Sequence, residues 1–170
     1  MRHPIRSLLV TLFFIFISFI TKAQQPTTAL ELNDAMADIT DSLYQAGSEW
    51  GKAFGDAYKT GRYDLIKPYR VRLENFINQK LEYVVTMKDI NNSKSLRLAV
   101  IEFLSYEKRL LQEAFLPFER LKSSVTKEEV QKLIDNLTTL AAKEKDMLAK
   151  VSEAQELYGA ENGFAIENKL

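Results

Sequence analysis

TKEEVQKLIDNLTTLAAKEKDMLAKVSEAQELY, running from Thr126 to Tyr158, is the stretch that decides the fold. Its first four residues, Thr126-Lys127-Glu128-Glu129, form a capping box: a hydroxyl and a carboxylate three residues apart satisfy each other's orphan backbone amides. Behind them Val130, Leu133, Ile134, Leu137, Leu140, Ala141, Leu148, Val151 and Tyr158 recur at the alternating three and four spacing of a helix packed along one seam. Asn162-Gly163 supplies a left-handed stop, beyond which Phe164 and Ile166 can fold back as an apolar plug.

Three more segments repeat this pattern upstream. Leu32, Met36, Ile39, Leu43, Ala46, Trp50, Phe54 and Ala57 make one stripe, ended by Thr60-Gly61. A second helix is expected from Asp64 or Pro68 to Lys88, with Ile66, Tyr69, Leu73, Phe76, Ile77, Val84 and Met87 inward; Pro68 suits its first turn. Asn91-Asn92-Ser93 reads as a turn, with Ser93 as N-cap of a third helix through Leu121. The inward set there is Leu96, Ala99, Val100, Phe103, Leu110, Ala114, Phe118 and Leu121, and Pro117 inside it predicts a kink or a released last turn. No strand-like alternation competes with these periods. Short connections make successive helices antiparallel neighbours, so the expected fold is all-α, a four-helix up-and-down antiparallel bundle. The alternative is an elongated pair of helical hairpins that completes its core by dimerising.

The segment before the first stripe has a different character. Arg2, His3 and Arg6 precede an apolar run, Leu8 to Ile20, and Thr21-Lys22-Ala23 puts small residues just ahead of Gln24. This is the layout of a cleavable signal peptide over 1-23, leaving 24-170 as the bundle domain. The run has 13 residues, short of the roughly 20 needed for a permanent span. The reading therefore expects export to the periplasm or outside the cell, with membrane contact only before cleavage.

Composition narrows the chemistry. With 46% apolar and 27% charged residues the chain can bury a core. Removing the leader's three basic side chains leaves 20 basic against 23 acidic, a net charge of −3, which argues against nucleic acid as a partner. There is no cysteine, and the single histidine, His3, lies in the leader. The mature part thus lacks thiolate chemistry, a lipidated cysteine, and the usual neutral-pH base and transition-metal ligand.

Four constellations carry what chemistry is left. Lys80 and Glu144 interrupt the apolar stripes of the second and fourth helices, and Glu107 and Tyr44 fall at a similar height. A shared polar layer is expected, with Lys80 paired to Glu144 for registry. The other readings are a charged pocket for a small ligand or proton, or side chains that snorkel to solvent. Gly47, Gly51 and Gly55 recur along one flank of the first stripe. Interior glycines destabilise a helix by roughly 1 kcal/mol each, so close approach of a neighbouring helix or a partner chain is the expected compensation, and a ligand-facing groove the alternative. Asp34, Asp38 and Asp41 share one face near a helix start, where carboxylates favourably oppose the helix dipole; no Glu-x-x-His pair accompanies them for a di-iron site. Finally, Arg62, Lys67, Arg70 and Arg72, among Tyr58, Tyr63 and Tyr69, form a basic and aromatic end. It offers an anion, a glycan or a partner Arg forks and Tyr faces, or simply complements a helix C-terminus.

The ending Ala154-Gln155-Glu156-Leu157-Tyr158 through Asn162-Gly163-Phe164, together with the leader and four long helices, resembles an uncharacterised family of secreted helical-bundle surface proteins of spirochaetes and Bacteroidetes. The resemblance implies export and a helical bundle and brings no active-site residues with it. Lipoprotein members carry a cysteine that this chain lacks. The expected function is a non-catalytic cell-envelope or secreted interaction module, partnered by another envelope protein or by itself as a homodimer. The alternative is a small-ligand or metal-binding bundle that uses Lys80, Glu107, Glu144 and Tyr44. No acid and base pair supports a hydrolase, and no cofactor or metal is expected.

Overall fold

The computed structural model describes residues 25–122 and 124–166, and within them the chain is an antiparallel bundle of four helices with no strand. The leader and its cleavage point lie outside the described residues. Helix α1 spans Ala29–Thr60. A 3-10 turn, Tyr63–Ile66, leads into α2, Lys67–Thr86. Helix α3, Lys94–Leu110, continues through a π-helical turn, Leu111–Phe115, into a last α turn, Leu116–Glu119. Helix α4 spans Lys127–Asn162.

Local chemistry sets these boundaries. The Thr126 hydroxyl accepts from the Glu129 amide, and the Glu129 carboxylate accepts from the Thr126 amide, at 3.2 and 2.9 Å. The same box opens α1, where Thr28 and Glu31 play the two parts, although the sequence reading began that helix from its apolar stripe. Gly61 and Gly163 end α1 and α4 in the left-handed conformation, with φ of 71° and 77°. After Gly163 the Phe164 ring meets Tyr158 edge-on, 6.0 Å between centroids, as the expected plug. Gly159 is required beneath it: a Cβ there would lie 2.9 Å from the Phe164 carbonyl oxygen.

Two expected features take another form at either end of α3. Ser93 stands at the N-cap position of α3, as expected, but its side chain makes no capping hydrogen bond to the helix. It is fully buried, its hydroxyl accepts from the Ile90 amide and donates to Asp89, and the left-handed Asn91 and Asn92 turn the chain. A π turn precedes Pro117, and the helix ends at Glu119, two residues short of the expected Leu121. Proline has no amide for the residue 113 carbonyl, and its ring crowds that carbonyl. The Glu113 oxygen accepts instead from the Asn136 side chain of α4, at 3.0 Å.

The helices form a closed ring, α1 to α2 to α3 to α4 and back to α1, with the α1–α4 seam the thinnest. The core runs the length of the bundle through Leu32, Met36, Ile39, Ile77, Val84, Leu96, Val100, Phe103 and Val151. Each fully buried large aliphatic or aromatic side chain stabilises by roughly 1.5–3 kcal/mol relative to exposure. Toward the α1–α2 turn the core is aromatic: Trp50 stacks on Phe115 at 3.7 Å and on Phe54 at 5.2 Å, and Phe118 meets Phe54 edge-on. With the chain's own four helices closing the core, the dimerised-hairpin alternative is not the fold adopted. Among the described residues no helix is long and apolar enough to cross a membrane.

Candidate functional site

The polar layer exists in part, with different members. Glu107 on α3 is 6% exposed, and its Oε1 has no hydrogen-bond partner. Burial first, and then the charge of Glu144 across the α3–α4 seam, push its carboxyl up to about 8. Burial also raises Glu144. Two carboxylates therefore face one another where a cation was expected. Lys80 does not reach them. Its ammonium sits over the rings of Phe76 and Tyr83, 5.5 Å from each centroid, and makes no ion pair among the described residues. The reason is topological: α2 and α4 stand diagonally in the ring, so α2 packs on α3 and α1. Tyr44 is outside the layer too, 79% exposed. The tyrosine that does join the seam is Tyr106, which the sequence reading passed over; its hydroxyl donates to the Leu140 carbonyl at 2.5 Å, and Arg109 lies over its ring.

The glycines of α1 are not closely packed. A Cβ at Gly47, Gly51 or Gly55 would meet nothing within 4 Å. At about 100° per residue, Tyr44, Gly47, Gly51, Gly55 and Tyr58 fall within a sector of about 80°. The two tyrosines are 79% and 53% exposed, so aromatic side chains stand at both ends of a smooth, open strip. Asn33 lies on the same line of α1, five turns before Gly51 by that geometry. There the line is covered: Asn33 is buried and accepts from the Gln155 side chain of α4 at 3.3 Å. One face of a single helix is thus sealed near its start and bare further on.

The basic end resolves into ion pairs. Arg70 is buried, not presented to solvent; its Nε and Nη2 grip both Glu119 oxygens and its Nη1 donates to Glu74 at 2.8 Å. These hydrogen bonds, Glu119 foremost, hold its guanidinium still more firmly protonated. Arg72 is exposed and bonded to Glu49 at 2.6 Å, and Arg62 stands 3.6 Å from Asp64. Only Lys67 of the expected four lacks an ion pair among the described residues. Glu119, the decisive partner, follows Pro117, and nothing in its spacing from Arg70 announced the meeting.

Asp34, Asp38 and Asp41 are exposed. Among the described residues no three carboxylate, histidine or cysteine side chains are grouped so as to hold a metal ion. An open cleft of about 200 Å³ lies between the start of α3 and the end of α4, beside Ser95, Lys150 and Leu157. Comparison of the chain with protein-family models, with curated proteins and with solved structures finds no match.

Proposed function

We propose that the mature chain is a non-catalytic, exported interaction module of the cell envelope, and that it docks a helix of another envelope protein along the bare strip of α1. One observation carries the reading: three interior glycines stand beside open space between two exposed tyrosines. Each glycine weakens the isolated helix by roughly 1 kcal/mol relative to alanine, and no neighbour inside the bundle compensates. A partner helix that needs close backbone approach gives those glycines their purpose, and tyrosines suit the ends of such a contact because one edge is apolar and the other hydrogen-bonds. Export rests on the leader, whose removal should leave Gln24 at the N-terminus of secreted material.

The test compares wild type with Gly51→Leu. Open space around residue 51 lets the variant fold, so its melting temperature should stay the same or rise. Cross-linking in intact cells should then lose the partner seen with wild type. Unchanged cross-links would sink the proposal, and a cross-linked second copy of this chain would replace the envelope partner by a homodimer.

A second reading, a bundle that binds a small ligand in its interior, is favoured by the unpartnered Glu107 oxygen beside Glu144.

A further inference from the structure

A buried carboxylate, Glu107, has a half-buried one, Glu144, as its neighbour across the α3–α4 seam. Glu107 is buried and one of its oxygens is closed off from both solvent and hydrogen-bond donors. An ionised carboxylate in that setting lacks everything that normally stabilises it. No element around it supplies a compensating charge. On α3 itself, Arg109 is held over the Tyr106 ring, 5.0 Å from its centroid, and the Tyr106 hydroxyl is committed to Leu140. On α4 the facing group is Glu144, of the same sign. On α2, Lys80 is held by Phe76 and Tyr83. On α1, Tyr44 and Asp41 are exposed. No cation is left for the pair, and no third carboxylate joins it to make a metal site among the described residues.

We propose that Glu107 and Glu144 form a proton-binding site that holds the α3–α4 seam shut while it carries its proton and loosens the seam when it loses it. The bound proton turns Glu107 into a neutral acid, which removes both the cost of an unsolvated charge and the like-charge repulsion from Glu144. Release sends that proton to bulk water and leaves two like charges in the seam, where water must enter to solvate Glu107. The buried bond that crosses the same seam from the neighbouring residue, Tyr106 to Leu140, is the one this entry would strain first. For a protein expected beyond the inner membrane, where pH follows the surroundings, such a site makes the stiffness of the bundle respond to acidity.

The sign follows from linkage. Unfolded, Glu107 releases its proton near its ordinary value of 4.5; folded, it keeps the proton up to about 8. The stability contributed by the bound proton is therefore full below about pH 4.5 and is lost as pH rises through about 8. Wild-type melting temperature should fall between pH 5 and pH 9, and Glu107→Gln, which imitates the neutral acid, should lose that part of the slope. Parallel profiles for the two proteins would overturn the proposal. Carbon-13 NMR of the glutamate carboxyls in the wild-type chain supplies a reading that needs no variant. A Glu107 signal that titrates above neutrality supports the site, and one that titrates in the ordinary carboxylate range, or stays ionised against a bound cation, refutes it.

Discussion

Arg70 and Glu107 are both buried in this bundle, and they are handled in opposite ways. The Arg70 guanidinium is gripped by both oxygens of Glu119 and by Glu74, so its charge and its fixed fork are matched. The Glu107 carboxylate faces another carboxylate and leaves one oxygen unpaired. The first arrangement ties the end of α3 to α2 and leaves no Arg70 nitrogen without an acceptor. The second is incomplete unless something positive enters, and the smallest such thing is a proton. Buried charge on its own therefore says nothing about function; what distinguishes the sites is whether the hydrogen-bonding capacity is filled.

That contrast can be broken at its strong side first. Arg70→Ala should destabilise the fold by about 3–5 kcal/mol, because it strands the buried Glu119 carboxylate. Urea denaturation would read this directly, and a loss under 1 kcal/mol would mean that the fork is ornamental. Glu107→Leu should do the reverse. Replacing an uncompensated carboxylate by an apolar side chain of similar size should stabilise the protein by about 1–4 kcal/mol at pH 8, with a smaller gain at pH 5, where the acid is already neutral. If this variant is destabilised at pH 8, Glu107 has a counter-charge and the contrast disappears.

Smaller effects sharpen the picture at the surface. Gly51→Ala should raise stability by about 1 kcal/mol, since the added methyl group meets nothing and the helix gains propensity. A loss there would show that a neighbour already fills the strip. Least affected should be Arg72→Ala: its partner Glu49 is exposed, and an exposed pair contributes about 0–1 kcal/mol, screened further by salt. Arg70 and Arg72 are two residues apart in one helix, so their difference isolates burial from residue type.

The site calls on residues that the sequence reading could name but not assemble. Glu107 and Glu144 stood out because each falls on or beside an apolar stripe, and the structure brings them together. Lys80 stood out for the same reason and is held elsewhere by two rings on its own helix. Tyr44, placed in the layer by its height, is turned to solvent, because height along a helix says nothing about rotation around it. The capping box of α1, Thr28 with Glu31, carried the same signal as the one in α4 and was readable. Gly159 was not, since only the returning Phe164 carbonyl makes a side chain impossible there.

What the chain determined by itself is local: where helices begin and end, which stripe is apolar, where the turns fall, and hence four antiparallel neighbours in order. These follow from capping, glycine's left-handed freedom and a 3.6-residue period, all of which act over a few residues. Only the tertiary structure decided which polar groups meet and which face of α1 stays bare. Those outcomes depend on diagonal against adjacent placement, on the thin α1–α4 seam and on the π turn before Pro117. Each is set by the packing of whole helices against one another, over distances that no local spacing encodes.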